Sequence, residues 1–106
     1  MESFSKFLVI LSVLSIVLIS GCTASENDAA KGACISACKQ MTANGTDLSD
    51  GPCLLDPIPN TGWVCDVAHS PRTSIDDNPA NQCVTYGSAA KHFVEVTPGC
   101  EFVRGV

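Results

Sequence analysis

A chain of 106 residues with a formal net charge of −5 has room for one domain and carries too few bases for a nucleic-acid surface. Its bases beyond the first 21 residues are scattered singly, which also disfavours adhesion to anionic lipids through charge. Seven cysteines in so short a chain are the feature that stands out, and their arrangement organises the predictions below.

The first 21 residues are typical of an export signal and not of a folded domain. The thirteen residues from Phe7 to Ile19 are apolar except for Ser12 and Ser15. A helix of that length covers about 20 Å, whereas the hydrocarbon core of a membrane is about 30 Å thick. We therefore predict a signal peptide over residues 1–21.

The sequence ISGC at residues 19–22 resembles the lipobox of prokaryotic lipoproteins, whose cysteine is lipidated and becomes the first residue after cleavage. The resemblance is confined to these residues. It implies a lipid anchor on Cys22, a short tether over residues 22–25, and a location at the extracytoplasmic face of the cell membrane. The alternative is ordinary secretory cleavage, after Gly21 or Ala24 for instance, which would leave Cys22 free or remove it.

The remaining cysteines form an even set of six within a predicted domain that covers residues 26–106. In an exported chain of this size, such a set predicts three disulfides. Zinc sites and redox centres favour pairs of cysteines with two residues between them, as in C-x-x-C, and no such pair occurs, so we predict neither a metal nor a cofactor. The six predicted disulfide cysteines are Cys34, Cys38, Cys53, Cys65, Cys83 and Cys100.

The segment from Ser25 to Asn44 carries the clearest helix signal. Ser25 can cap the first turn, and Asn44 followed by Gly45 favours a stop. Apolar residues recur at helical spacing and place Cys34 and Cys38 on the buried face, one turn apart.

The helical spacing bears on the disulfide pairing. Side chains one turn apart lean the same way, so Cys34 and Cys38 should each reach a different downstream partner. We expect Cys53 to pair with Cys65 across a proline-rich turn. Cys34 and Cys38 would then take Cys83 and Cys100, in an order that the sequence leaves open.

Four short apolar runs read as strands, at Cys53–Leu55, Trp63–Ala68, His92–Val96 and Glu101–Val103. The segment Ser70–Gln82 reads as a loop because of its prolines and polar residues. We predict an α+β fold, a small disulfide-rich domain with one N-terminal helix packed on a short antiparallel sheet of three or four strands.

The segment between Cys65 and Cys83 holds the most distinctive set of polar residues. Binding residues concentrate on loops that a rigid scaffold holds, so residues 66–81 are predicted to form a presented recognition loop. The structural alternative is that Asp66 or Asp77 pairs with Arg72. The candidate binding residues, together with an exposed tryptophan region, are Trp63, Asp66, His69, Arg72, Asp76 and Asp77.

Three other roles for this loop stay open at this point. His69, Asp66 and Arg72 would serve a small enzyme, and His69 and His92 could join Asp66 and Glu95 in a metal or acid–base site, although no catalytic motif organises them. Arg72-Thr73 would serve as the scissile bond of a protease inhibitor. The segment Asp76–Asn78 offers oxygen ligands for Ca²⁺ but lacks the spacing of a calcium-binding loop.

The sequence therefore predicts a lipid-anchored extracytoplasmic binding module, not an enzyme, whose partners are the membrane and an unknown protein or envelope component. A small extracytoplasmic enzyme or protease inhibitor, or a purely structural envelope protein, are the alternatives. The cysteine-spaced block from Trp63 to Cys100 resembles small secreted cysteine-rich proteins of archaea, and this resemblance implies no activity. Asn44-Gly45-Thr46 is a glycosylation sequon.

Overall fold

The computed structural model describes residues 25–106, so the predicted signal peptide, Cys22 and most of its tether lie outside the described residues. The described chain forms one helix followed by four strands, which confirms the α+β class. These elements are α1 (Glu26–Ala43), β1 (Cys53–Leu55), β2 (Trp63–Val67), β3 (His92–Val96) and β4 (Phe102–Gly105).

Helix α1 has the boundaries that its end signals predict. The Ser25 hydroxyl accepts a hydrogen bond from the Asp28 N–H at 3.2 Å, which satisfies one free donor of the first turn. At the other end Gly45 has a φ of +82°, a left-handed conformation that suits the residue after a helix cap. The buried stripe contains Cys34 and Cys38, as predicted.

The four strands form one sheet in the order β1, β2, β3, β4. The outer pairs β1/β2 and β3/β4 are antiparallel, but β2 and β3 run parallel, so the sheet is mixed and not antiparallel throughout as predicted. A parallel neighbour requires a crossover connection. Residues 68–91 provide it, and they contain two short 3₁₀ turns, at Ser74–Asp77 and Pro79–Asn81, where a plain loop was predicted.

The two faces of the sheet have different partners. The first face carries Cys65 and Val67 of β2 and Val94 and Val96 of β3, and these side chains share one core with helix α1. The second face, which we call the outer face, carries alternate residues of the same strands. There Val64 packs with residues of the crossover in a second, smaller cluster.

Three disulfides tie the elements together, and each has a Cα to Cα distance between 5.2 and 5.6 Å, within the usual range. Cys34 and Cys38 reach different downstream partners, as predicted. The predicted Cys53–Cys65 pair is wrong because Cys53 lies opposite Asp66, whose side chain faces away from that of Cys65. The pairs are Cys34–Cys65, Cys38–Cys100 and Cys53–Cys83.

Trp63 is buried, which corrects the prediction of an exposed tryptophan. Its residue surface is only 5% exposed. The indole Nε1 donates to the Glu26 carboxylate at 3.1 Å, and the ring stacks on His92 with 4.7 Å between centroids. The start of α1 therefore covers Trp63, and this side chain stabilises the helix-covered face of the sheet.

Candidate functional site

A pocket of about 200 Å³ lies on the outer face, between the sheet and the crossover. Side chains on a strand alternate between the two faces, so the outer face receives Asp66 from β2, Glu95 from β3 and Arg104 from β4. We call this cavity the open-face pocket. Its lining consists of Val64, Asp66, Arg72, Gln82, Cys83, Tyr86, Phe93, Glu95 and Arg104.

Asp66 is the unusual group of the open-face pocket. The residue is 9% exposed, and among the described residues its Oδ1 is the buried side-chain oxygen without a hydrogen-bond partner. Burial, followed by the negative charge of Glu95, raises the pKa of Asp66 to about 7, although the Arg72 guanidinium opposes the rise. Asp66 is thus close to half ionised near neutral pH.

Glu95 lies next to Asp66 across the parallel β2/β3 pair, but its surroundings differ. Its Oε1 accepts hydrogen bonds from Arg104 Nη2 at 3.0 Å and from Arg72 Nη1 at 3.4 Å. The pocket therefore contains one carboxylate that is paired with two guanidinium groups and one carboxyl group that is not.

Arg72 is held from several sides by the domain itself. Its Nε donates to Asp77 Oδ1 at 2.9 Å, and its Nη2 donates to the Asp76 carbonyl at 3.2 Å. The predicted alternative that Asp77 pairs with Arg72 is thus confirmed. Its Nη1 also donates to Glu95 Oε1 at 3.4 Å, so the guanidinium is held at the pocket, and the protease-inhibitor alternative stays a prediction.

His69 and Asp76 form a separate cluster outside the pocket lining. Asp76 is 1% exposed and accepts hydrogen bonds from His69 Nδ1 at 2.9 Å and from the Thr73 N–H at 2.8 Å. Burial alone would raise the pKa of Asp76, but bonds from the Thr73 N–H and from the ring and N–H of His69 lower it to about 2. This carboxylate fixes the conformation of the crossover.

The cluster bears on two of the alternative functions. A Ca²⁺ ion at Asp76–Asn78 would have to displace the donors that Asp76 and Asp77 already hold, and the Asn78 side chain accepts from the Ala80 N–H. The enzyme hypothesis groups His69 with Asp66 and Arg72. The structure brings Asp66 and Arg72 together at the pocket and leaves His69 bonded to Asp76 outside its lining.

One group of potential metal ligands comes together in residues 25–106. The Sγ atoms of Cys53 and Cys83 and a carboxylate oxygen of Asp56 lie within 4.8 Å of one another. The two sulfurs are bonded to each other, and Asp56 accepts hydrogen bonds from the N–H groups of Val84 at 2.7 Å and Thr85 at 2.9 Å. These atoms hold the crossover against β1 and are not free ligands.

The sequence predicted only part of the open-face pocket. Asp66 and Arg72 were predicted binding residues, Glu95 was considered only for an acid–base or metal site with the two histidines, and Arg104 was not a candidate. One sequence signal could have grouped Glu95 with Asp66: each acid stands between two apolar residues of a predicted strand, so each side chain projects from the face opposite to those apolar residues.

Comparison of the chain with protein families, with curated proteins and with solved structures finds no match. Within residues 25–106, α1 is the one α-helix, and it lacks the apolar composition needed to cross a membrane.

Proposed function

We propose that this protein is a lipid-anchored extracytoplasmic binding module whose ligand occupies the open-face pocket. The observation that supports a binding site is the Asp66 carboxyl group, which is buried without a partner for Oδ1. Such a group costs folding free energy, and buried polar groups in proteins are otherwise nearly always hydrogen-bonded. A ligand that bonds to Oδ1 would offset this cost, which makes Asp66 a recognition group and not a structural one.

The surroundings of Asp66 suit a binding site. Its neighbour Glu95 is held by Arg72 and Arg104, so the walls of the pocket are fixed before a ligand arrives. Preorganised walls of this kind reduce the entropy that binding costs. Tyr86 adds an aromatic side chain that is 47% exposed at the pocket. Asp66 and Arg72 of the predicted recognition loop line the pocket. In this proposal, residues 66–81 therefore contribute one wall of the pocket and do not act as a free recognition surface.

The binding proposal predicts where a natural ligand protects the chain. The full-length protein in lipid nanodiscs is mixed with the small-molecule fraction of the cells that express it, and amide hydrogen exchange is followed by mass spectrometry. We expect exchange to slow in β2, β3 and the segment around Tyr86. Tyr86→Ala should lose most of this protection because Tyr86 lines the pocket.

Val84→Ala is the matched control for this experiment. Val84 is 82% exposed, lies two residues from Tyr86 and does not line the pocket, so its variant should keep the protection of the wild type. Protection that is equally strong in Tyr86→Ala, or that falls only outside the pocket strands, would contradict the proposed binding site.

The anchoring proposal rests on the lipobox resemblance and is tested separately. Cys22→Ser should move the protein from the membrane fraction to the soluble extracytoplasmic fraction and abolish incorporation of labelled fatty acid, because the acylated residue is gone. Cys83→Ser, which removes a disulfide sulfur but not Cys22, should still incorporate the label. Membrane retention of Cys22→Ser would refute the lipid anchor.

A further inference from the structure

The open-face pocket is surrounded by more carboxyl groups than bases. Asp66 and Glu95 line it, and the Asp77 carboxylate bonds to Arg72 at its edge. Against these three acids stand two guanidinium groups, those of Arg72 and Arg104. The net charge around the pocket is therefore negative whenever Asp66 is ionised, and it favours a cationic ligand over an anionic one.

The basic groups of the pocket do not satisfy Asp66. Arg72 donates to Glu95, Asp77 and the Asp76 carbonyl, and both donors that Arg104 uses go to Glu95. Oδ1 of Asp66 is left as an acceptor without a donor. The missing partner of the site is thus a hydrogen-bond donor, and a donor with positive charge would also screen Asp66 from Glu95.

We propose that the open-face pocket binds a primary ammonium group carried on a small apolar body, with Asp66 Oδ1 as its acceptor. This proposal rests on the proposed function and names the ligand class of the same site. An ammonium group offers three donors and a full charge, so it can bond to Asp66 and remain attracted to Glu95. A hydroxyl group would supply only a neutral donor, and a carboxylate would be repelled by both acids.

The other walls of the pocket suit an apolar body. Val64 is buried in the floor, and Tyr86 and Phe93 meet edge to face with 5.3 Å between ring centroids. Aromatic rings attract both apolar groups and cations. At about 200 Å³ the pocket has the volume of roughly seven water molecules, which suits a small ligand and not a folded partner.

Proton linkage gives the proposal a pH dependence. The groups that face Asp66 are Glu95 from β3, Arg104 from β4, and Arg72 and Asp76 from the crossover. An ammonium group bonds to ionised Asp66, so binding releases a proton when the pKa of about 7 is above the pH of the solution. Affinity should therefore rise between pH 5 and pH 8, by up to roughly 100-fold.

Three probes of one shape test the ligand class. ¹⁹F NMR measures the binding of 4-fluorobenzylammonium, 4-fluorobenzyl alcohol and 4-fluorobenzoate to the full-length protein in phosphatidylcholine nanodiscs, with empty nanodiscs as the blank. At pH 8 we expect the ammonium probe to bind at least tenfold more tightly than the alcohol, and the benzoate not to bind. The preference should be lost at pH 5.

Two variants tie the preference to Asp66. Asp66→Asn should bind the ammonium probe at least tenfold more weakly at pH 8 and lose the pH dependence. Asp50→Asn removes the same charge from an exposed residue outside the pocket, and its affinity should stay within twofold of the wild type. Unchanged affinity in Asp66→Asn would overturn the assignment of the acceptor.

The remaining outcomes separate this proposal from the proposed function. If no probe binds, or if benzoate binds best, the ammonium class is wrong, while pocket protection by the cell extract would still support the binding module. Nα-acetyl-lysine methylamide presents the same ammonium group as a protein side chain does. Tighter binding of that compound than of the benzyl probe would overturn the small-ligand part of the proposal.

Discussion

Replacing both cysteines of the Cys34–Cys65 bridge with alanine is expected to lower the free energy of unfolding by about 4 kcal/mol. This disulfide joins the buried face of α1 to the second strand of the sheet, and it links residues 31 positions apart in the chain. Its loss increases the conformational entropy of the unfolded chain. It also leaves a cavity in the core, and a small domain has little buried apolar surface to lose. Chemical denaturation followed by circular dichroism measures the change. Full reduction of the protein should abolish cooperative unfolding altogether.

The Cys53–Cys83 bridge is a matched control because its residues lie 30 positions apart, almost the same separation. The entropy released in the unfolded chain should therefore be equal for the two bridges. Cys53 and Cys83 lie at the smaller outer-face cluster, so their double alanine variant should lose less. A typical bridge contributes about 2 to 4 kcal/mol to the free energy of unfolding. If Cys34→Ala/Cys65→Ala lowers that free energy by less than about 1 kcal/mol, the core is stable enough without this link.

Local signals in the sequence predicted the elements of the fold well. The cap at Ser25 and the stop at Asn44 mark the ends of α1, and the first and third strands have the predicted bounds. Each of these features depends on residues that lie close together in the sequence. Such information is present in the sequence without knowledge of the rest of the fold.

Strand direction and disulfide pairing were predicted less well because both depend on distant residues. The crossover carries the chain back to the edge of the sheet at which β2 begins, so β3 runs parallel to β2. No local pattern within the strands reveals this direction. The same holds for Cys53. Its partner is decided by the face on which its side chain lies, and that follows from its position opposite Asp66.

The candidate site shows a similar division. The sequence indicates Asp66 and Arg72 as candidate binding residues because they lie in a segment rich in polar residues. Glu95 and Arg104 lie on strands that become neighbours of Asp66 only through the order of the sheet. A site assembled across three strands cannot be derived from any single segment, and its chemistry emerges from the pairing of Asp66 with Glu95.

Asp66→Asn is expected to raise the free energy of unfolding more at pH 8 than at pH 4, and the difference between the two pH values should be up to about 4 kcal/mol. The pKa of Asp66 is about 7 in the folded protein and near its ordinary value of 3.8 in the unfolded chain. Below 3.8 both states are protonated and the residue contributes nothing to the pH dependence. As the pH rises from about 4 to 7 only the unfolded chain ionises, so the wild type loses stability, and above 7 the full cost is present. Asparagine does not titrate and avoids this cost.

Denaturant unfolding of both proteins at pH 4, 6 and 8 measures the effect, and Asp50→Asn again serves as the control. Because Asp50 is exposed, its replacement should shift stability by a similar small amount at each pH. The ligand must be absent, since an ammonium compound bound to Asp66 would stabilise the wild type at pH 8 and hide the difference. If Asp66→Asn is less stable than the wild type at pH 8 and follows the same pH profile, Asp66 has a partner in the folded protein. The unpartnered carboxyl group on which the proposed binding site depends would then not exist.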